Sequence, residues 1–159
     1  MENRPEGPIR PTDDEARALA RSLITEARFA ALGVLDPETG HPSVTRIAIV
    51  PGADHAPLTL ISTLSSHSTA LDANPACSVL IGEPGDKGDP LTHPRLTLQA
   101  IAEGADKAAL RAHYLSLYPK ARLYYDFGDF RLMRFAPQSA LLNGGFGKAF
   151  RLSTADIVA

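Results

Sequence analysis

The sequence predicts a mainly β fold with peripheral helices (α+β), built as a six-stranded antiparallel sheet closed or partly closed into a barrel. Three observations point to it. Alternating apolar runs of strand length come as hairpin neighbours joined by tight turns. The helix-like segments are inserted between strand runs rather than alternating with them, which disfavours a doubly wound parallel sheet. Closing such a sheet also removes its exposed edges.

The elements follow in order. Residues 1–11 carry Pro5, Pro8 and Pro11 and read as a flexible arm. Thr12 with Glu15 three positions on, and acids between, marks a helix start. Residues 13–26 then set Ala16, Leu19, Ala20, Leu23 and Ile24 on one helical face. Residues 28–35 (RFAALGVL) and 41–50 (HPSVTRIAIV) are paired strands around the turn at 36–40 (DPETG). On the second of these, Val44, Arg46, Ala48 and Val50 point one way, and Thr45, Ile47 and Ile49 the other.

A third strand at 58–62 runs into the hydroxyl-rich stretch 62–69 (STLSSHST) and a helix over 66–73 that stops at Asn74-Pro75. Residues 76–82 form strand four, 83–93 a loop rich in Gly, Pro and Asp, and 94–103 strand five. A helix over 105–118 carries Leu110, Tyr114 and Leu117, and 127–136 is strand six, which 140–142 extend. The NGGFG run at 143–147 is a break before a short tail. The domain expectation is an arm over 1–11, one domain over 12–152 and a tail over 153–159.

Bulk numbers bound the function. The chain has 159 residues, 44% hydrophobic and 21% charged, enough to bury one core. A net charge of −2 gives no basic excess for nucleic acid. The polar, proline-rich start lacks the apolar stretch of a signal peptide, and no run is long enough to span a membrane. The single Cys77 forms no internal disulfide and suits a reducing compartment, so a cytoplasmic location is expected. Cys77 reads as a small buried strand residue, and the histidines lack paired metal-ligand spacing.

The candidate site is 58–75. A buried strand running through hydroxyls into a helix N-terminus offers unpaired amides, the positive dipole end and extra donors, which suits a phosphate. Ser62, Thr63, Ser65, Ser66, His67 and Ser68 are its candidate ligands. Ser65 and Ser66 also suit helix caps, and His67 taken alone reads first as a first-turn residue facing water. Arg46, in an apolar strand, either meets the same anion with its planar fork or lies on a solvated sheet face. Arg95 is either an edge-strand charge or a second cation. The DFGDF run at 126–130 reads as an aromatic turn, because the other kinase motifs are missing. No side chain stands out as a general acid or base.

Taken together, these motifs resemble the pyridoxamine-phosphate-oxidase-like, FMN-binding split β-barrel superfamily, and within it the haem-utilisation, HugZ-like branch. The carrying residues are AALGVLD at 30–36, GHP at 40–42 through Arg46, and STLSSHSTALDANP at 62–75. GEPG at 82–85, DPL at 89–91, HPRLTL at 93–98, YPKA at 118–121, FGDF at 127–130 and GGFG at 144–147 follow in order. The resemblance implies a homodimer with FMN at the subunit interface and a small-molecule substrate, hence a flavin-dependent oxidoreductase. It assigns the phosphate to Arg46 and to Ser62, Thr63, Ser65, Ser66, His67 and Ser68, and a flavin contact to Arg95; Gly145 and Phe146 would border the ring bound by the other subunit. The oxidases proper carry Arg and Lys where this chain has His67 and Ser68. The alternative is a flavin- or haem-binding protein without turnover. Haem-degrading members carry a His in a C-terminal segment, whereas the last His here is His113, which leaves the substrate open.

Overall fold

A computed structural model of the chain describes residues 9–145 and 147–158. Residues 1–8 of the expected arm and Phe146 lie outside the described residues. Inside the arm, Ile9–Arg10 form a two-residue strand, β1. Helix α1 is Asp14–Glu26, and its cap is Asp13 rather than the expected Thr12. The Asp13 carboxylate accepts from the Ala16 amide at 2.8 Å, while the Thr12 hydroxyl donates to the Arg151 carbonyl at 2.6 Å. Ala16, Ala20 and Ile24 bury one face of this helix.

Strands β2 (Phe29–Leu35) and β3 (Pro42–Ala48) form the expected hairpin, in register from Phe29↔Ala48 to Leu35↔Pro42. Asp36 Oδ1 accepts from the Glu38 and Thr39 amides, and Gly40 closes the turn at φ +72°. The expected strand over 41–50 then breaks. The Ile49 amide donates to Arg28, and Val50–Pro51 (β4) turn away to pair with β5 (Pro57–Ser62). Next come α2 (Ser66–Ala73), β6 (Ala76–Ile81), β7 (Arg95–Gly104) and α3 (Arg111–Leu117). The helix expected over 105–118 is shortened to α3, with its first residues in turns. β8 runs unbroken over Phe130–Asn143, followed by β9 (Ala149–Ser153) and α4 (Thr154–Ile157), where the sequence led us to expect a short tail.

The described residues thus form a sheet-dominated α+β fold with nine strands and four helices, not six strands. The ladder order is β1-β9-β8-β7-β6-β2-β3, with β5 on β8 and β4 on β5. This sheet is open rather than a closed barrel, and β1 pairs with β9 in parallel. Among the described residues no ladder joins β3 to β5; Thr59, fully buried, bridges them by donating its hydroxyl to the Ala48 carbonyl at 2.6 Å. The outer edge of β8 is shared: residues 130–134 pair with β5 and residues 139–143 with β9. Pro137, which has no N–H to offer, sits between these two pairings, where the β7–β8 register also shifts.

Two apolar clusters meet along β8. The larger packs α1, α2 and α4 against the inner faces of β2, β3, β6, β7 and β8 around Leu32, Val79, Leu98 and Phe135. The smaller joins Leu58 and Leu60 of β5 and Leu132 of β8 to Tyr114, Leu115 and Tyr125. β5 is therefore buried on both faces, which fixes where it ends and where the hydroxyl turn begins.

Candidate functional site

β5 ends at Ser62, opposite Phe130. Ser62 Oγ donates to Asp129 Oδ2 at 3.0 Å and accepts from the Leu64 amide at 3.1 Å. The Thr63 amide donates to the Asp129 carbonyl at 2.6 Å. Ser65 takes the N-cap position of α2 with extended backbone, yet its hydroxyl makes no cap bond. It donates instead to the Ser62 carbonyl at 2.6 Å. Ser68, fully buried, sends its hydroxyl to the same carbonyl.

The six residues of the stretch therefore divide. The hydroxyls of Ser62, Ser65 and Ser68 face inward and are spent on the turn itself. Thr63 and Ser66 are exposed, and their side chains make no hydrogen bond among the described residues. Among those residues nothing accepts from the amides of Ser66, His67 and Ser68, so the first turn of α2 keeps three free donors. His67 stands between these groups. Its Nδ1 lies 3.1 Å from Thr45 Oγ1, and burial holds its pKa below the usual imidazole range. Burial therefore disfavours a positive charge on this ring.

Arg46 does not join this group. Strand alternation puts Thr45, the His67 partner, on one face of β3 and Arg46 on the other. Arg46 is exposed, with its guanidinium 5.8 Å from the centre of the Phe29 ring, and it makes no ion pair among the described residues. Arg95 is also apart. It pairs with Asn143 at one end of β8 while Ser62 pairs with Phe130 at the other. Its Nη1 donates to the carbonyls of Leu91 and His93 at 2.9 and 3.3 Å, tying down the loop before β7.

A cleft of about 250 Å³ opens beside α2, lined by Asp36, Glu38, Ser43, Ser66 and Thr69. Its two carboxylates disfavour a second anion. Among the described residues, then, those expected to hold FMN do not converge on a cationic phosphate site.

Two participants escaped the sequence reading. Asp129, in the run read as a plain aromatic turn, is the acceptor that organises Ser62 and Thr63. Its turn is pinned from the far side as well: Lys107 Nζ donates to the Phe127 and Phe130 carbonyls, and Arg111 grips Asp126 through two bonds of 2.8 and 2.9 Å. Thr45 is the second, and only its place one residue before Arg46 hinted at it. The turns that Asp129 joins also carry large apolar side chains outward, Leu64 at 85% exposure and Phe127 at 56%. Among the described residues no cluster of three His, Cys, Asp or Glu is placed to hold a metal ion, and no helix is long and apolar enough to cross a membrane.

No protein-family model matches the chain. The non-canonical heme oxygenase HOZ, chloroplastic, of Arabidopsis thaliana is 37% identical over 115 residues, 70% of this chain and 34% of that protein. The chain thus spans about a third of the length of this curated relative. One solved structure is 48% identical with a TM-score of 0.88, covering 94% of this chain and 99% of its own. A heme binding protein from Mycobacterium smegmatis is 27% identical with a TM-score of 0.82, over 94% of this chain and 61% of that one. A pyridoxinephosphate oxidase family protein from Clostridium acetobutylicum shares the fold at 16% identity and a TM-score of 0.66, covering 92% of this chain and 99% of that one.

Proposed function

We propose that the chain is a haem-binding protein of the pyridoxamine-phosphate-oxidase-like superfamily, of its haem-utilisation branch, and that it acts as a homodimer. The observation that carries the reading is the 37% identity to a heme oxygenase over 115 residues. The site supports it, because an imidazole that burial disfavours charging, on the same turn as exposed Leu64, suits a large apolar ring better than a phosphate dianion. Bound haem would supply the iron and the conjugated ring, and the chain the ligands and the apolar seat.

The homodimer is supported by the outer face of the sheet. Cross-strand pairs place Val44 beside Gly33, Ala31 beside Leu80, and Thr97 beside both Leu80 and Leu141 on one surface. Val44 is 70% exposed there and Leu80 44%, around the small residues Ala31 and Gly33. This face, apolar around Val44, Ala31 and Leu80 and carrying the exposed Arg46 opposite Ala31, fits a second copy of itself.

The flavin-dependent oxidoreductase remains the second reading, favoured by the three free amides of α2 and by an Arg46 without an anionic partner in its own protomer. Parallel titrations of purified protein with hemin and with FMN decide between them. The haem reading expects saturable hemin binding, one per chain, with a shifted Soret band, and FMN bound far more weakly. Protein that ignores hemin sinks it. Tight FMN binding that Arg46→Ala weakens strongly would install the flavin reading instead.

A further inference from the structure

Iron in a haem needs an axial donor that is uncharged or anionic at neutral pH, reachable from outside, and oriented by a second bond. The donors of this chain can be sorted on those terms. Cys77 is buried and its thiol is pushed by burial up to about 11, so it stays protonated. Tyr114 and Tyr125 are buried, and burial raises both phenols; Met133 is inside the larger apolar cluster. His93 has both nitrogens engaged, Nδ1 accepting from the Gly85 amide at 2.9 Å and Nε2 2.7 Å from the Lys87 carbonyl. His113 gives Nε2 to the Pro51 carbonyl at 2.7 Å. His55 has its Nδ1 buried without a partner, in a turn with φ +72°. His41 is fully open on the β2–β3 turn, with nothing to orient it.

His67 meets every term. Its Nδ1 is met by Thr45 Oγ1 at 3.1 Å, which leaves Nε2 as the free nitrogen. Nε2 has no hydrogen bond among the described residues and is not enclosed. The ring is half-buried at the base of α2, and Leu64 stands out from the same turn. With the ring proton on Nδ1, the Thr45 pairing matches the arrangement in which a metal-bound imidazole donates its other N–H to an oxygen.

We propose that His67 Nε2 is an axial ligand of the haem iron, oriented by Thr45. The proposal rests on the haem-binding reading above and deepens it by naming the ligand. The test titrates hemin into wild-type, His67→Ala and His41→Ala protein, read by absorbance and by electron paramagnetic resonance of the ferric complex. Wild type and His41→Ala give one imidazole-ligated spectrum. His67→Ala loses it and regains it when free imidazole is added. Thr45→Val keeps the ligand type but weakens hemin binding about tenfold or more, as loss of an outer-shell partner does. If His67→Ala fails to fold, His67→Gln is read in its place. An unchanged spectrum in the His67 variant overturns the ligand assignment and leaves haem binding standing. Absence of hemin binding by wild type overturns both.

Discussion

Burial at His67 makes the stability of this protein sensitive to acid. The folded-state pKa lies below the unfolded value of about 6.5, because the half-buried ring resists taking a proton. Its contribution is therefore fully present above that unfolded value and is lost as pH falls towards the folded one, since the unfolded chain then binds the proton more readily. Urea unfolding at pH 7.5 and pH 5 should show wild type losing more stability than His67→Gln across that interval; equal losses refute the assignment. Asp129 is the other decisive residue. Asp129→Ala leaves the Ser62 hydroxyl without its acceptor and should cost about 1–3 kcal/mol, with Asp129→Asn costing less. The hydroxyl run was legible in the sequence, as was its position before a helix. The direction of the Ser62 hydroxyl was not, because it depends on a carboxylate sixty-seven residues away.

Turn chemistry explains which elements could be read. The hairpin over 28–50 was legible because Asp36 and Gly40 dictate a tight turn and strand alternation fixes the rest. The break at Ile49 was not, since it arises where the chain changes partner from β2 to β5 rather than from any breaker residue. β9 and α4 were missed behind the glycine-rich run, although Ser153 and Asp156 form a capping box that the spacing announces. Gly82 sits at a junction of this kind, with φ +112° between β6 and the loop that Arg95 holds. A Cβ there would lie 2.6 Å from the Pro94 carbonyl. Gly82→Ala should destabilise by about 1–3 kcal/mol in urea unfolding, through left-handed strain and the clash together; an unchanged midpoint would mean that the loop yields.

Over the whole molecule, the mainly β class was legible and the closed barrel was not. Counting strands from apolar runs omits β1 and β9, and it cannot show that β3 and β5, among the described residues, are hydrogen-bonded through the Thr59 hydroxyl rather than by a ladder. The same limit hid the outer sheet face, whose membership is decided by cross-strand register. Placing a charge on it tests the proposed assembly. Leu80→Glu should convert a dimer to a monomer in sedimentation velocity while leaving the circular dichroism unchanged; a variant that still sediments as a dimer places the interface elsewhere.

The shared edge of β8 gives the molecule two cooperative units on a common spine. β5, the α3 side and its tyrosines hang on residues 130–134, whereas β9 and α4 hang on 139–143, with Pro137 between. Opening of either group need not break the other's bonds. Native-state amide exchange should therefore resolve two sets of protection factors, with β5 and α3 forming one set and β9 the other.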